Sequence, residues 1–155
     1  MIQIAIVSIG KTNEAYVKAG LEKYIKLIGK YAKLEWIELN DVKNGNKLSP
    51  DKLKIQEAEL LEAHLNDKAA WIFLDEIGIQ LNSVDFASYL EKKSIQNSKL
   101  CFIIGGSYGL ADSIKKKGEA IALSKLTFNH QMVRLILTEQ IFRAFTILKG
   151  TTYHH

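Results

Sequence analysis

The sequence predicts an α/β domain with a mainly parallel sheet flanked by helices. Near-continuous apolar runs at residues 2–9, 70–74 and 100–104 have the composition of strands buried on both faces, as parallel sheets require. Helical patterns fall between these runs, with no internal repeat and one short polar loop at residues 41–47, and that alternation is the signature of βα units. At 155 residues and 47% apolar composition, the chain is sized for one domain, residues 1–155, with a real core.

The opening run has no basic residue before it and is followed by Gly10-Lys11, so it reads as a first strand rather than a leader. Helix is predicted over residues 13–32. Residues 34–39 alternate in polarity and read as a strand nearer an edge. The next helix, residues 50–65, starts at Ser49-Pro50, an N-cap followed by proline at the first helical position. Strand 70–74 leads into Asp75-Glu76-Ile77-Gly78, and helix 84–95 follows with Ser83 as its cap. Strand 100–104 runs into Gly105-Gly106-Ser107-Tyr108-Gly109, after which residues 111–117 form a short helix with Asp112 at its start and three lysines near its end, the mark of a solvated terminus.

The last helix, residues 131–148, is apolar around nearly its whole circumference. Its polar residues form two narrow stripes, Arg134 with Thr138 and Glu139 with Arg143 and Thr146. Such a helix needs cover on almost every side; a second subunit is the simplest cover, and a central core helix within one chain is the alternative. The chain has nineteen lysines but only two arginines, and both lie in this helix. Guanidinium groups are the best bidentate binders of oxyanions, so the helix is the first place to look for chemistry.

Net charge is +4 with pI near 9.0, a balance compatible with a polyanionic partner. The single Cys101 lies inside an apolar run, which excludes an internal disulfide framework or a zinc cluster and reads as core filling. No segment reaches the length of a membrane span. Together these features predict a cytoplasmic protein in a reducing compartment, without metal.

Ligands in parallel sheets sit beyond the carboxyl ends of the strands, which selects three segments: residues 74–78, 105–109 and 123–128. Gly105-Gly106 lets main chain approach a ligand closely; the pattern is neither a dinucleotide fingerprint nor a P-loop. Asp75 and Glu76 are adjacent, point oppositely on an extended chain and form no acid/base pair; one is available to a ligand hydroxyl or amine, the other to solvent. His130 at a helix start reads as a structural neutral imidazole. Tyr153-His154 follows Lys149-Gly150, where glycine ends the helix, and a tail placed there is positioned to fold back over a site.

Three stretches, Phe102-Ile-Ile-Gly-Gly-Ser-Tyr-Gly-Leu110, Leu123-Ser-Lys-Leu-Thr-Phe-Asn-His-Gln131 and Glu139-Gln-Ile-Phe-Arg-Ala-Phe145, with the ending Lys149-Gly-Thr-Thr-Tyr-His154, resemble the RlmH family of bacterial ribosomal RNA methyltransferases, of the SPOUT class. The resemblance covers essentially the full length. It implies a SPOUT methyltransferase fold with a C-terminal trefoil knot and a homodimer packed through that region. It implies S-adenosyl-L-methionine as cofactor, contacted by Leu74, Gly105, Leu123, Ser124, Lys125, Leu126, Thr127 and Phe128. The implied reaction is methylation of N3 of a pseudouridine in helix 69 of 23S rRNA on the assembled ribosome. In that reading Arg143 stabilises the developing imidate or holds a phosphate, His154 accepts the proton and Tyr153 stacks on the base. Asn129 stands where many members have proline, and asparagine also serves as a helix cap. A noncatalytic ribosome- or RNA-binding protein of the same fold is the alternative. A flavodoxin-like nucleotide-binding domain is the reading without the resemblance.

Overall fold

The computed structural model describes residues 1–65 and 68–155. Strands β1 (Ile2–Ile9), β2 (Ala32–Leu39), β3 (Ala69–Gln80), β4 (Lys99–Ile104) and β5 (Glu119–Ala122) form one sheet in the order β2-β1-β4-β3-β5. Every pairing is parallel. Helices α1 (Ala15–Ile28), α2 (Pro50–Glu62), α3 (Ser83–Gln96), α4 (Asp112–Lys115) and α5 (His130–Leu148) connect and flank them.

Side-chain alternation along the strands divides the core in two. Ile4, Ile6, Leu100, Phe102 and Ile104 face α1, α3 and α5; Ala5, Val7, Ile9, Cys101 and Ile103 face α2 and α4. Buried on both sides, β1 and β4 carry the near-continuous apolar runs, whereas β2, at the end of the strand order beside β1, shows the alternation of an edge. Cys101 is buried in β4, and burial pushes its thiol up to about 11. The native protein is therefore expected to resist alkylation at neutral pH and to react only when denatured; rapid modification of the folded chain would show that β4 opens.

Several boundaries differ from expectation. The first helix ends at Ile28, and Ala32 already belongs to β2, because the aromatic and apolar residues at this junction satisfy either period. Asn82, not Ser83, caps α3, accepting from Asp85 N–H at 2.8 Å, while the Ser83 hydroxyl donates to Gln140 of α5. Ala111 precedes α4, and Asp112 is its first residue. Ser49 caps α2 through Lys52 N–H, and Asn129 caps α5 through Gln131 N–H at 2.8 Å. The end of α5 carries two tightening bonds, Gly150 N–H to Ile147 O and Thr151 N–H to Thr146 O, with Gly150 at φ +64°, the double-bonded close expected of a glycine stop.

The sequence reading omits β5. It pairs with β3 on both sides of an excursion: Leu74 and Ile79 both oppose Ile121, so residues 75–78 leave the ladder and return. Gly78 closes that excursion against β5, where a Cβ would stand 2.7 Å from Ala120 C and Ile121 N.

The apolar circumference of α5 is explained first by its own chain. It packs between α1 and α3 and against the sheet, and Leu137, Ile141, Phe142, Ala144 and Phe145 are buried there. Met132, Leu135, Ile136, Glu139 and Arg143 remain partly exposed along one stripe. Among the described residues no helix is long and apolar enough to cross a membrane.

Candidate active site

The excursion within β3 and the loops that follow β4 and β5 meet at the carboxyl edge of the sheet and enclose a cleft of about 510 Å³, the size range of small-molecule and cofactor sites. Leu74 and the 75–76 segment form one wall. The turn after β4, residues 105–109, forms the second, closed by Gly109 N–H donating to Gly106 O at 3.0 Å. Residues 123, 124 and 126–128 form the third, where Leu126 N–H donates to the Ser124 hydroxyl. Of the eight residues expected to hold a cofactor, Leu74, Gly105, Leu123, Ser124, Leu126, Thr127 and Phe128 line this one cleft; Lys125 is exposed beside them and outside the lining.

The walls are tied together by side chains. Lys115 of α4 donates to Asp75 at 2.9 Å, and the Thr127 hydroxyl donates to Glu76. Asp75 and its hydrogen bond are the first causes raising the Lys115 pKa. Asp75 is the half-buried carboxylate of this segment and Glu76 the exposed one, as expected of adjacent acids pointing apart, and each also has a protein partner. Of the rest of the lysine run, Lys116 and Lys117 are exposed, as a solvated terminus predicts, and Lys117 bonds to Glu62 at 2.6 Å. His130, read from sequence as structural, is exposed and lines the cleft. Its position at the first turn of α5 was the only available signal, and it is ambiguous by itself.

The two arginines part company. Arg134 is 1% exposed and spends its donors within the chain, on Ile9 O, Gly10 O, His130 O and the Thr12 hydroxyl at 2.9–3.3 Å. Burial pulls its pKa below the usual guanidinium value, opposed by Glu38 at 3.7 Å. It fastens the start of α5 to the end of β1 and is no oxyanion binder. Arg143 is partly exposed and doubly bonded to Glu139 Oε1 at 2.7 and 3.1 Å, a contact that raises its pKa.

The tail folds back on Arg143. Tyr153 lies 4.8 Å beneath the guanidinium and edge-on to Phe142, and its hydroxyl donates to Glu139 at 2.9 Å. Burial, then Tyr24 and Glu139, pushes the Tyr153 phenol up, so it stays protonated. His154 Nδ1 is 3.3 Å from Arg143 Nη1. Because a guanidinium only donates, Nδ1 is the acceptor in this contact.

Arg143, Tyr153 and His154 therefore form one cluster, but not in the cleft. Val133 lines the cleft, and Arg143 lies ten residues further along α5, about 15 Å at 1.5 Å per residue. Within one chain the two groups occupy opposite ends of the same helix.

A parallel sheet with a cleft of this size at its carboxyl edge defines an α/β protein of the ligand-binding architecture. This chain belongs to the SPOUT methyltransferase family: the family described as predicted SPOUT methyltransferase matches residues 2–154. Relatives named ribosomal RNA large subunit methyltransferase H include that of Cytophaga hutchinsonii, 45% identical over 99% of this chain and 100% of its own length. Those of Christiangramia forsetii, 40% identical with 98% of each chain covered, and Geobacter sulfurreducens, 38% identical over 99% of this chain and 100% of its own, are similar.

Proposed function

We propose that this protein transfers a methyl group from S-adenosyl-L-methionine to N3 of a pseudouridine in helix 69 of 23S rRNA, acting in the cytoplasm as a homodimer on the assembled ribosome. The observation that carries this is the convergence of seven of the eight expected cofactor residues on a single strand-end cleft. The relatives named for large-subunit ribosomal RNA methylation support the substrate class.

The donor set fits the cofactor. Leu74, Leu123, Leu126 and Phe128 offer apolar surface for an adenine, and the hydroxyls of Ser124 and Thr127 with the carboxylates of Asp75 and Glu76 suit ribose hydroxyls and a cationic sulfonium. When bound, S-adenosylmethionine supplies an electrophilic methyl. The protein's part is to align the base with it and to help an imide nitrogen lose its proton. Arg143 supplies fixed positive charge where negative charge grows on the base, and Glu139 and Tyr153 hold its guanidinium in place. His154 Nδ1 becomes a proton acceptor once the substrate displaces it from Arg143.

Dimerisation brings these groups to the cleft. In a two-fold dimer the partly exposed stripe of α5 meets its own copy. If the two helices cross antiparallel, the Arg143 end of one subunit lies beside the His130 end of the other. The separation of cleft and tail along α5 supports a site shared between subunits.

The test is transfer of labelled methyl to assembled bacterial ribosomes, with and without prior pseudouridine formation, followed by mapping of the modified nucleotide. Label on helix 69 that depends on pseudouridine is expected, with little label on a short free stem-loop. A ribosome that takes up no label while the protein binds cofactor would move the target to another RNA.

A further inference from the structure

Behind the second wall of the cleft is a carboxylate that the reaction does not use. Glu57, on α2, is 6% exposed and reaches the turn after β4 from the opposite side of the sheet edge. It lines a second cleft of about 320 Å³ that shares Gly106, Ser107 and His130 with the first. A Cβ on Gly106 would stand 2.6 Å from one Glu57 oxygen and 2.7 Å from the other, with Glu57 supplying all three nearest atoms. The missing side chain at residue 106 is thus the space in which the carboxylate sits. Gly105 is backed by Leu110 and Gly109, which belong to the turn or adjoin it. Glu57 is the contact that reaches the turn from a separate helix.

We infer that Glu57 is a positioning residue for the cofactor cleft, seating the turn at residues 105–109 against α2 so that its main chain faces the ligand in a fixed place. The inference rests on the proposed cofactor reading. Burial raises the Glu57 pKa, Asp41 adds to the rise, and the Gly106 N–H opposes it. The carboxyl therefore gains nothing from burial as a charge, and its useful property is reach. A neutral group of the same length should replace it, and a shorter charged group should not.

The experiment compares Glu57→Gln, Glu57→Asp and Glu57→Ala in the full-length chain, by calorimetric affinity for S-adenosylhomocysteine and by methyl-transfer rate at saturating cofactor. Glu57→Gln should bind within about threefold of the wild type, and the Asp and Ala variants at least about tenfold more weakly, the scale of one lost polar contact to a buried group. At saturation all should turn over within about threefold of the wild type, because the contact orders the cleft and touches no reacting atom. Gly106→Ala, which pushes the carboxylate out of its seat, should lose cofactor affinity at least as far as Glu57→Ala does, and adding Glu57→Ala to it should cost no further affinity. Asp binding like the wild type while Gln fails would overturn the inference, as would unchanged affinity in all variants or a loss confined to turnover. If Ala does not fold, the Gln and Asp pair decides by itself. A wild-type chain that binds no S-adenosylhomocysteine overturns the cofactor reading, and this inference with it.

Discussion

Arg143→Ala is expected to slow methyl transfer about a hundredfold to a thousandfold, the usual loss when one fixed donor to a developing negative charge is removed. Cofactor affinity should hold within about twofold, since Arg143 lies outside the cleft. Single-turnover transfer with a parallel binding measurement separates these effects. Unchanged transfer would leave Arg143 with only its Glu139 pair, worth about 0.5 kcal/mol on a helix. Deleting residues 153–155 should give a loss of similar order, because Tyr153 and His154 frame the guanidinium. The same variant reports where the site is assembled. Mixed and reassembled with Thr127→Trp, which fills the cleft from an exposed position, it should regain about a quarter of wild-type activity: half of the dimers are then mixed, each with one intact cleft facing one intact tail. A mixture as inactive as its components would place cleft and tail function within one chain.

Arg134→Ala should cost stability rather than chemistry. The change removes a buried charge that serves two main-chain carbonyls at the end of β1, a third at the start of α5 and the Thr12 hydroxyl. It also leaves Glu38, held below the usual carboxylate range by Thr12, Trp36 and Arg134 despite its partial burial, without its cation. Breaking such a pair from one side costs about 3 kcal/mol, a fall in Tm of about 6–12 °C for a chain of this size. Calorimetric unfolding checks this; a Tm within a degree or two of the wild type would mean that water replaces the guanidinium without penalty.

Much of the layout was legible because β1 and β4 are covered on both faces and are apolar at nearly every position. The strand-end loops follow from that, and with them most of the cleft. The strand β5 was not legible: Glu119-Ala-Ile-Ala122 is short, begins with a charge and follows three lysines and a glycine, so neither period develops. Its partnership with β3 rests on a four-residue excursion that no local pattern announces. Side-chain roles were harder still. Arg134 and Arg143 are the same residue type on the same helix, and only tertiary packing makes one a fastener and leaves the other available. The ties from Lys115 to Asp75 and from Thr127 to Glu76 join residues 40 and 51 positions apart, beyond the reach of any spacing rule.

The placement of α5 also governs how the chain is made. Gln131 bonds to Lys11 and Asn13, and Arg134 to Ile9, across 118 to 125 residues of intervening sequence. During synthesis, the part of the sheet face of Ile4, Ile6 and Phe102 that α5 covers waits until that helix has been made, while α1 and α3 cover the rest. Closing so long a loop costs entropy before any contact offsets it, and non-local contacts of this kind slow folding. Until α5 docks, the nascent chain presents a partly uncovered apolar face, the kind of surface that chaperones hold.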